Sequence, residues 1–307
     1  MRRIIFVVSK SQRIAVVCAF IIFMTLTASA QNPQGAASPQ PEPEPTPQAR
    51  PTPSLESHFL RNILNDQRAI WTSPFRMGRG DMKWVAPLGL STLALIATDR
   101  YTGGEIIKSG HSTRLRISKD ISYGGSVYAT GGIAAAFYLA GRATENRRAR
   151  ETGLLSAEAL IDSSIVVEVL KTASQRPRPL VDDASGEFFD RGNSFPSGHA
   201  ISAWSVATVI AYEYGEHRPL VRFGAYGLAS AVSISRYTGQ KHFLSDVLVG
   251  SAFGYGIGRY VYRTHHDASL DVEDAAPVKN RSKLIPLTSP LYSRASRAYG
   301  LALAWSF

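Results

Sequence analysis

The chain is 307 residues long, carries a net charge of +10, and combines a mean hydropathy of −0.07 with a single cysteine. That length suffices for a domain with a substantial core, one cysteine excludes a disulfide framework, and the hydropathy is that of a water-soluble protein. There is no P-loop, no His/Cys set at zinc spacing, no dinucleotide-type glycine motif, and no dense basic stripe to suggest a nucleic-acid partner.

Residues 1–30 read as a secretory signal peptide: Arg2, Arg3, Lys10 and Arg13, an apolar run over 14–27, then Ala28-Ser29-Ala30. The run is short for a membrane span, which favours cleavage over an uncleaved anchor. Cys18 lies within it, so the mature chain has no thiol. Removing its four cations leaves +6, an excess suited to anionic substrates or lipid surfaces. Residues 31–53 hold eight of the seventeen prolines and read as an extended, disordered linker.

Residues 54–263 carry helical patterns. Phe59, Leu60, Ile63, Leu64, Ile70 and Trp71 recur at helical spacing until Ser73-Pro74 stops them, which predicts an amphipathic helix packed on the domain. Six further helices are predicted at 84–97, 121–140, 154–170, 200–212, 223–234 and 246–262, giving an all-α fold, a compact helical bundle. The loop 181–195 sets Asp182, Asp183, Glu187 and Asp190 beside Phe188 and Phe189, and is expected to be a rim or lid. A polar linker, 264–282, leads to a C-terminal extension, 283–307. There Tyr299, Leu301, Leu303, Trp305 and Phe307 alternate with small residues, predicting a strand that pairs with 284–287 in a short β-hairpin packed on the bundle.

The chemistry gathers between residues 171 and 246. Pro196-Ser197-Gly198-His199 precedes an apolar helical run, with Ser197 as N-cap; the unpaired first amides and the dipole of such a helix attract phosphate. Gly198 lets an anion approach the backbone. Lys171, Arg178 (held between Pro177 and Pro179) and Arg236 offer the point charge and planar forks that grip phosphate oxygens. His242 and Asp246, four apart, share a face if helical, so that the carboxylate fixes one imidazole tautomer and leaves the other nitrogen nucleophilic. His199 stands where it can protonate a leaving oxygen. Taken singly, Lys171 reads as a helix C-terminal cation and His242 with Asp246 as a structural pair. Taken together they supply every part of a phosphoryl-transfer site.

Lys171-x6-Arg178-Pro179, Pro196-Ser197-Gly198-His199 and Ser235-Arg236-x5-His242-x3-Asp246 resemble the three signatures of the type 2 phosphatidic acid phosphatase (PAP2) and vanadium haloperoxidase superfamily, over a motif core of 154–262. The resemblance implies an all-helical fold and a metal-free, cofactor-free phosphatase working through a phosphohistidine on His242. It implies Asp246 as support, His199 as general acid, and Lys171, Arg178, Ser197, Gly198 and Arg236 as holders of the phosphoryl oxygens. Vanadate is then expected as an inhibitor, or as the cofactor of a haloperoxidase.

The leading expectation is an exported, periplasmic or envelope-associated phosphatase of lipid phosphates or small soluble phosphoesters, with at most peripheral membrane contact. The alternatives are an integral membrane lipid (pyro)phosphatase, a vanadium haloperoxidase and a non-catalytic phosphate-binding envelope protein. Two arguments weigh against integral spans. The runs 84–97 and 200–212 are short, and Glu158, Asp162 and Glu168 would lie at membrane depth.

Overall fold

The structure, a computed structural model, describes residues 55–181, 183–216, 218–271, 287–293 and 298–304. The expected signal peptide and proline-rich linker, Asp182, most of the polar linker, Leu284, Trp305 and Phe307 lie outside the described residues. The chain divides into two units, Met1–His266 and Asp267–Phe307.

The first unit is all α-helical. In chain order it holds α1 (Leu55–Thr72), α2 (Met82–Lys108), α3 (Ser112–Ser122), α4 (Val127–Ala143), α5 (Arg147–Ser174), α6 (Gly198–Tyr214), α7 (Pro219–Thr238) and α8 (Leu244–His265). The predicted α1 is present and runs into a 3-10 turn at Pro74. Three expectations need correcting. The stretch 84–97 is the N-terminal half of a much longer α2, which continues through Asp99 and Gly103 because both are buried against the rest of the bundle. Residues 112–122, too polar to show a clear apolar stripe, form α3. The helix expected at 121–140 starts only at Val127, where Ser126 accepts a hydrogen bond from Ala129 N as N-cap.

The core lies where α5, α6 and α8 meet. Leu155, Ala159, Val166 and Val167 pack against Ile201, Val209, Ile257 and Val261. A second cluster, Ala203, Ala207, Ala229 and Val232, joins α6 to α7. Small residues set the spacing of α6 and α8: a Cβ at Gly250, Gly254 or Gly258 would come within 2.6, 2.4 and 2.5 Å of the carbonyl oxygens of Ser197, Ile201 and Ser205. This contact brings the first turns of α6 and α8 together, and the Asp246 carbonyl accepts a 3.0 Å hydrogen bond from Ser197 N.

The second unit carries β1 (Leu287–Ser293) and β2 (Ala298–Ala304), antiparallel, with Leu287 opposite Ala304 and Tyr292 opposite Tyr299. The hairpin is present, and among the described residues its first strand begins at Leu287, the last residue of the predicted segment 284–287, whose first three residues lie outside them.

Candidate active site

Helix α5 ends in a way that aims its last turn at the start of α6. Gln175 takes a left-handed backbone (φ 44°) and its N–H donates to Lys171 O at 2.9 Å; Pro177 and Pro179 then bar further helix. The returning loop is pinned to this end. Phe189 N donates to Ser174 O, Asp190 N and Gly192 N to Gln175 O, and Ser194 N to Arg176 O, at 2.7–3.0 Å. At Gly192 a Cβ would sit 2.1 Å from the Arg176 carbonyl carbon, so only glycine fits. The second half of the expected rim loop, Phe189 to Ser194, is therefore bonded back to the end of α5.

His242 and Asp246 do not share a helical face. Helix α8 begins at Leu244, so His242 stands in the preceding turn, with its N–H donating to Arg236 O at 3.3 Å. Asp246 is in the first turn, where its Oδ2 accepts from Phe243 N at 3.0 Å and from Ser194 Oγ at 2.5 Å. That capping role decides the geometry. His242 Nδ1 lies 3.4 Å from Asp246 Oδ2 but only 2.8 Å from Ser194 O, so Nδ1–H donates to the carbonyl and the carboxylate backs it at ion-pair distance. Nδ1 carries the proton, and Nε2 is left with its lone pair. Burial pushes the His242 pKa down against the pull of Asp246, keeping the ring neutral. Burial alone would raise Asp246, but His242, Arg176 and Ser194 outweigh it and hold the carboxyl below its usual range.

Arg176 is the residue that sequence reasoning passed over. It is fully buried, and its fork binds four groups: Nη1 donates to Asp246 Oδ1 and Ser245 Oγ, both at 2.7 Å, Nη2 to Asp99 Oδ2 at 3.0 Å, and Nε to Gly186 O at 3.0 Å. Its guanidinium carbon sits 4.1 Å from the Phe243 ring centroid and 4.8 Å from that of Phe188. Ser245 Oγ also bonds Asp99 Oδ2. One arginine thus pairs with two buried carboxylates and ties α2, the 180s loop and α8 together. The usable signal was Arg176-Pro177-Arg178-Pro179, two arginines in one stiffened loop, of which only the second was given a role.

Burial is the main cause that lowers the His199 pKa to about 4, and the charges of Arg236, His242, Lys171 and Arg178 add to it. Lys171 Nζ lies 3.5 Å from where a Gly198 Cβ would stand and pairs with exposed Glu168 at 3.0 Å. Arg178 Nε donates to Asn193 Oδ1 at 3.1 Å. Arg236 is buried with Nη1 on Ser122 Oγ; burial, then Arg178, lowers its pKa to about 10. Ser197 is the N-cap by position, yet its side chain makes no capping bond. Its Oγ and Arg236 Nε are both buried without a hydrogen-bond partner among the described residues, and both are donors that an anion would satisfy. The turn after α3 forms one wall, since a Cβ at Gly125 would come within 2.7 Å of His199 O. Among the described residues, the groups of His, Cys, Asp and Glu spaced to hold a metal include no residue of this site.

The PAP2 superfamily model matches residues 152–270. The chain is 41% identical over 70 residues to the lipid A 1-phosphatase of Porphyromonas gingivalis, covering 23% of this chain and 16% of that one. It is 35% identical over 109 residues to phosphatidylglycerophosphatase B of Bacillus subtilis, covering 33% of this chain and 52% of that one, about half its length. Among solved structures it is similar to the transmembrane PAP2-type phosphatidylglycerolphosphate phosphatase of Bacillus subtilis (TM-score 0.47, 23% identity, 64% of this chain and 98% of that one). It is also similar to Aquifex aeolicus LpxE (TM-score 0.43, 24% identity, 52% and 92%).

Proposed function

Because residues 152–270 form a PAP2 superfamily domain, we propose that the protein is a membrane-associated phosphatase that hydrolyses lipid phosphate monoesters through a phosphohistidine on His242. The observation that carries this reading is the tautomer of His242: Nδ1–H is held by Ser194 O, which leaves Nε2 with its lone pair, and the charges of Arg236 and Arg178 act on the ring. A pocket that only binds phosphate needs no such nitrogen.

The phosphoryl group lies on the first amides of α6, with its oxygens on Lys171, Arg178, Arg236 and Ser197 Oγ. His242 Nε2 forms a bond to phosphorus as the ester P–O bond breaks, and the leaving oxygen takes a proton from His199. His199 then accepts a proton from water, whose oxygen attacks phosphorus; the P–N bond breaks, releasing phosphate and restoring His242. With a pKa near 4 in the free site, His199 is neutral. A bound phosphate dianion offsets the cations that depress it after burial, and so favours the proton His199 carries as general acid. Side chains supply all the charge, and no step calls for a metal.

Two features support a lipid substrate. Relatives that bear this domain carry the names of lipid phosphatases. Large apolar side chains also point outward on α2 and α7, among them Trp84 at 73%, Leu220 at 84% and Phe223 at 73% exposure, and Leu180, Val181 and Phe189 are exposed on the loop after α5. Surfaces of this kind mark lipid or protein contact, and favour a membrane-seated body over the freely soluble one expected from hydropathy. Among the described residues no helix is long and apolar enough to cross a membrane.

The test is phosphate release by the full chain from phosphatidic acid, phosphatidylglycerol phosphate, undecaprenyl pyrophosphate and p-nitrophenyl phosphate, with fractionation of the expressing cells. Preference for the lipid monoesters, an acid-labile, alkali-stable phosphoenzyme absent in His242→Asn, and recovery of the protein with membranes are expected. Equal turnover by His242→Asn would sink the mechanism, and quantitative recovery in the aqueous fraction would sink the membrane assignment.

A further inference from the structure

A second polar cluster lies at the other end of the bundle. Glu158 stands thirteen residues before Lys171 on α5, roughly 20 Å along the helix. Here α1, α5 and α8 meet through Asp66, Glu158, Asp162 and His265. The three carboxylates are 0–1% exposed. His265 Nε2 lies 3.0 Å from both oxygens of Asp66 and 3.1 Å from Glu158 Oε1. Asp162 Oδ1 accepts from Gln67 Nε2 at 2.8 Å.

This cluster is short of positive charge. Among the described residues no lysine or arginine pairs with Asp66, Glu158 or Asp162. The fold's other buried acids do have such partners: Arg176 serves Asp99 and Asp246, and Arg148 donates to Glu213 beside Glu151 and His266. One imidazole nitrogen faces three oxygens and can give one proton to them, while Asn62 bonds Glu158 and Tyr260 bonds Asp66. Glu158 Oε1 and Asp162 Oδ2 are still buried without a hydrogen-bond donor among the described residues. Uncompensated buried carboxylates are costly, and either protons or a cation must relieve them.

The cluster has room for a cation. Ligand atoms about 2.1 Å from a six-coordinate ion stand about 3.0 Å apart along each edge of the polyhedron. The separations from His265 Nε2 to Glu158 Oε1, 3.1 Å, and to one Asp66 oxygen, 3.0 Å, fit such an edge as well as they fit a hydrogen bond, and one ligand atom from each residue lies within 4.8 Å of the others. Carboxylate oxygens with one imidazole suit a borderline divalent ion rather than a thiophilic one. We propose that Asp66, Glu158 and His265 hold a divalent transition-metal ion of the Mn²⁺ or Zn²⁺ class, with Asp162 and Gln67 orienting the ligands. Its role is structural. It joins the amphipathic first helix and the end of α8 to α5, and takes no part in phosphoryl transfer.

The full chain is stripped with EDTA, desalted, and titrated with Mn²⁺ or Zn²⁺ alone, reading bound metal by mass spectrometry and Tm by calorimetry. About one equivalent per chain and a rise in Tm of about 5–10 °C at saturating metal are expected, with turnover at 25 °C unchanged. Glu158→Gln and His265→Gln should each abolish the metal-dependent rise, and Glu158→Gln should leave the stripped protein at least as stable as wild type. Absence of retained metal with a Tm that neither ion moves would overturn the proposal and assign the cluster to shared protons. Survival of the rise in both variants would overturn it equally, and because the wild-type titration decides alone, poor folding of a variant leaves the outcome readable.

Discussion

Arg176→Met keeps the length of the buried stem and removes its charge, which isolates what the guanidinium does. Asp246 and Asp99 lose the cation they share, and Ser245 Oγ and Gly186 O lose a donor. Deleting one partner of a buried ion pair costs about 3–5 kcal/mol, because the remaining charge stays desolvated. For a domain of this size each kcal/mol moves Tm by about 2–4 °C, so a fall of roughly 6–20 °C is expected. Activity should change in a way that plain destabilisation does not produce. Without Arg176, burial raises the pKa of Asp246, the carboxylate behind His242 takes a proton at higher pH, and the acid limb of the kcat profile moves upward. Arg176→Lys restores a charge without the fork and should fall between the two. The assays are calorimetry of the full chain and pH–rate profiles with p-nitrophenyl phosphate below the new Tm. A Tm within about 2 °C of wild type and an unmoved acid limb would refute the reasoning, since Asp246 would then owe nothing to Arg176.

Further outcomes are expected. His199→Asn should slow substrates with poor leaving groups far more than p-nitrophenyl phosphate, and equal losses would remove the general acid role. The folded pKa of His199, about 4, lies below the unfolded value, so the unfolded chain binds the extra proton first and stability falls as pH drops from about 6.5 to about 4. His199→Asn should flatten that part of a Tm-against-pH curve. Gly192→Ala forces a Cβ into the Arg176 backbone and should cost about 1–3 kcal/mol or more, read as a lower Tm with the loop after α5 newly open to proteolysis. Vanadate should inhibit, and turnover at 25 °C should survive EDTA; loss of activity restored by a divalent ion would count against the side-chain chemistry described for the site.

The sequence made the site legible more fully than its frame. Each of the eight predicted residues sits at a helix end or in a turn marked by Pro, Gly or a spaced charge, and such marks survive in one dimension. Length was harder to read. Helix α2 looked as if it ended near residue 97, because Asp99 breaks the apolar pattern; only the arginine seventy-seven residues later makes a buried aspartate tolerable there. Helix α3 presents mostly Ser, Arg and Lys, so no stripe announced it. The i,i+4 spacing of His242 and Asp246 suggested a shared helical face, whereas α8 starts between them and turns the aspartate toward its own first turn.

The dependence of Asp246 on α2 bears on how this protein can be cut and recombined. The segment that matches the family begins at residue 152, whereas Asp99, Ser122 and the Thr102 carbonyl that accepts from the Tyr237 hydroxyl all lie before it. A graft of the matched segment onto a foreign scaffold would carry every signature residue and still strand Arg176 with one anion where it now has two. The smallest transplantable unit therefore begins no later than α2. Chimeras joined between α1 and α2 should keep turnover, while junctions placed between α4 and α5 should lose it unless the donor supplies an aspartate in the place of Asp99.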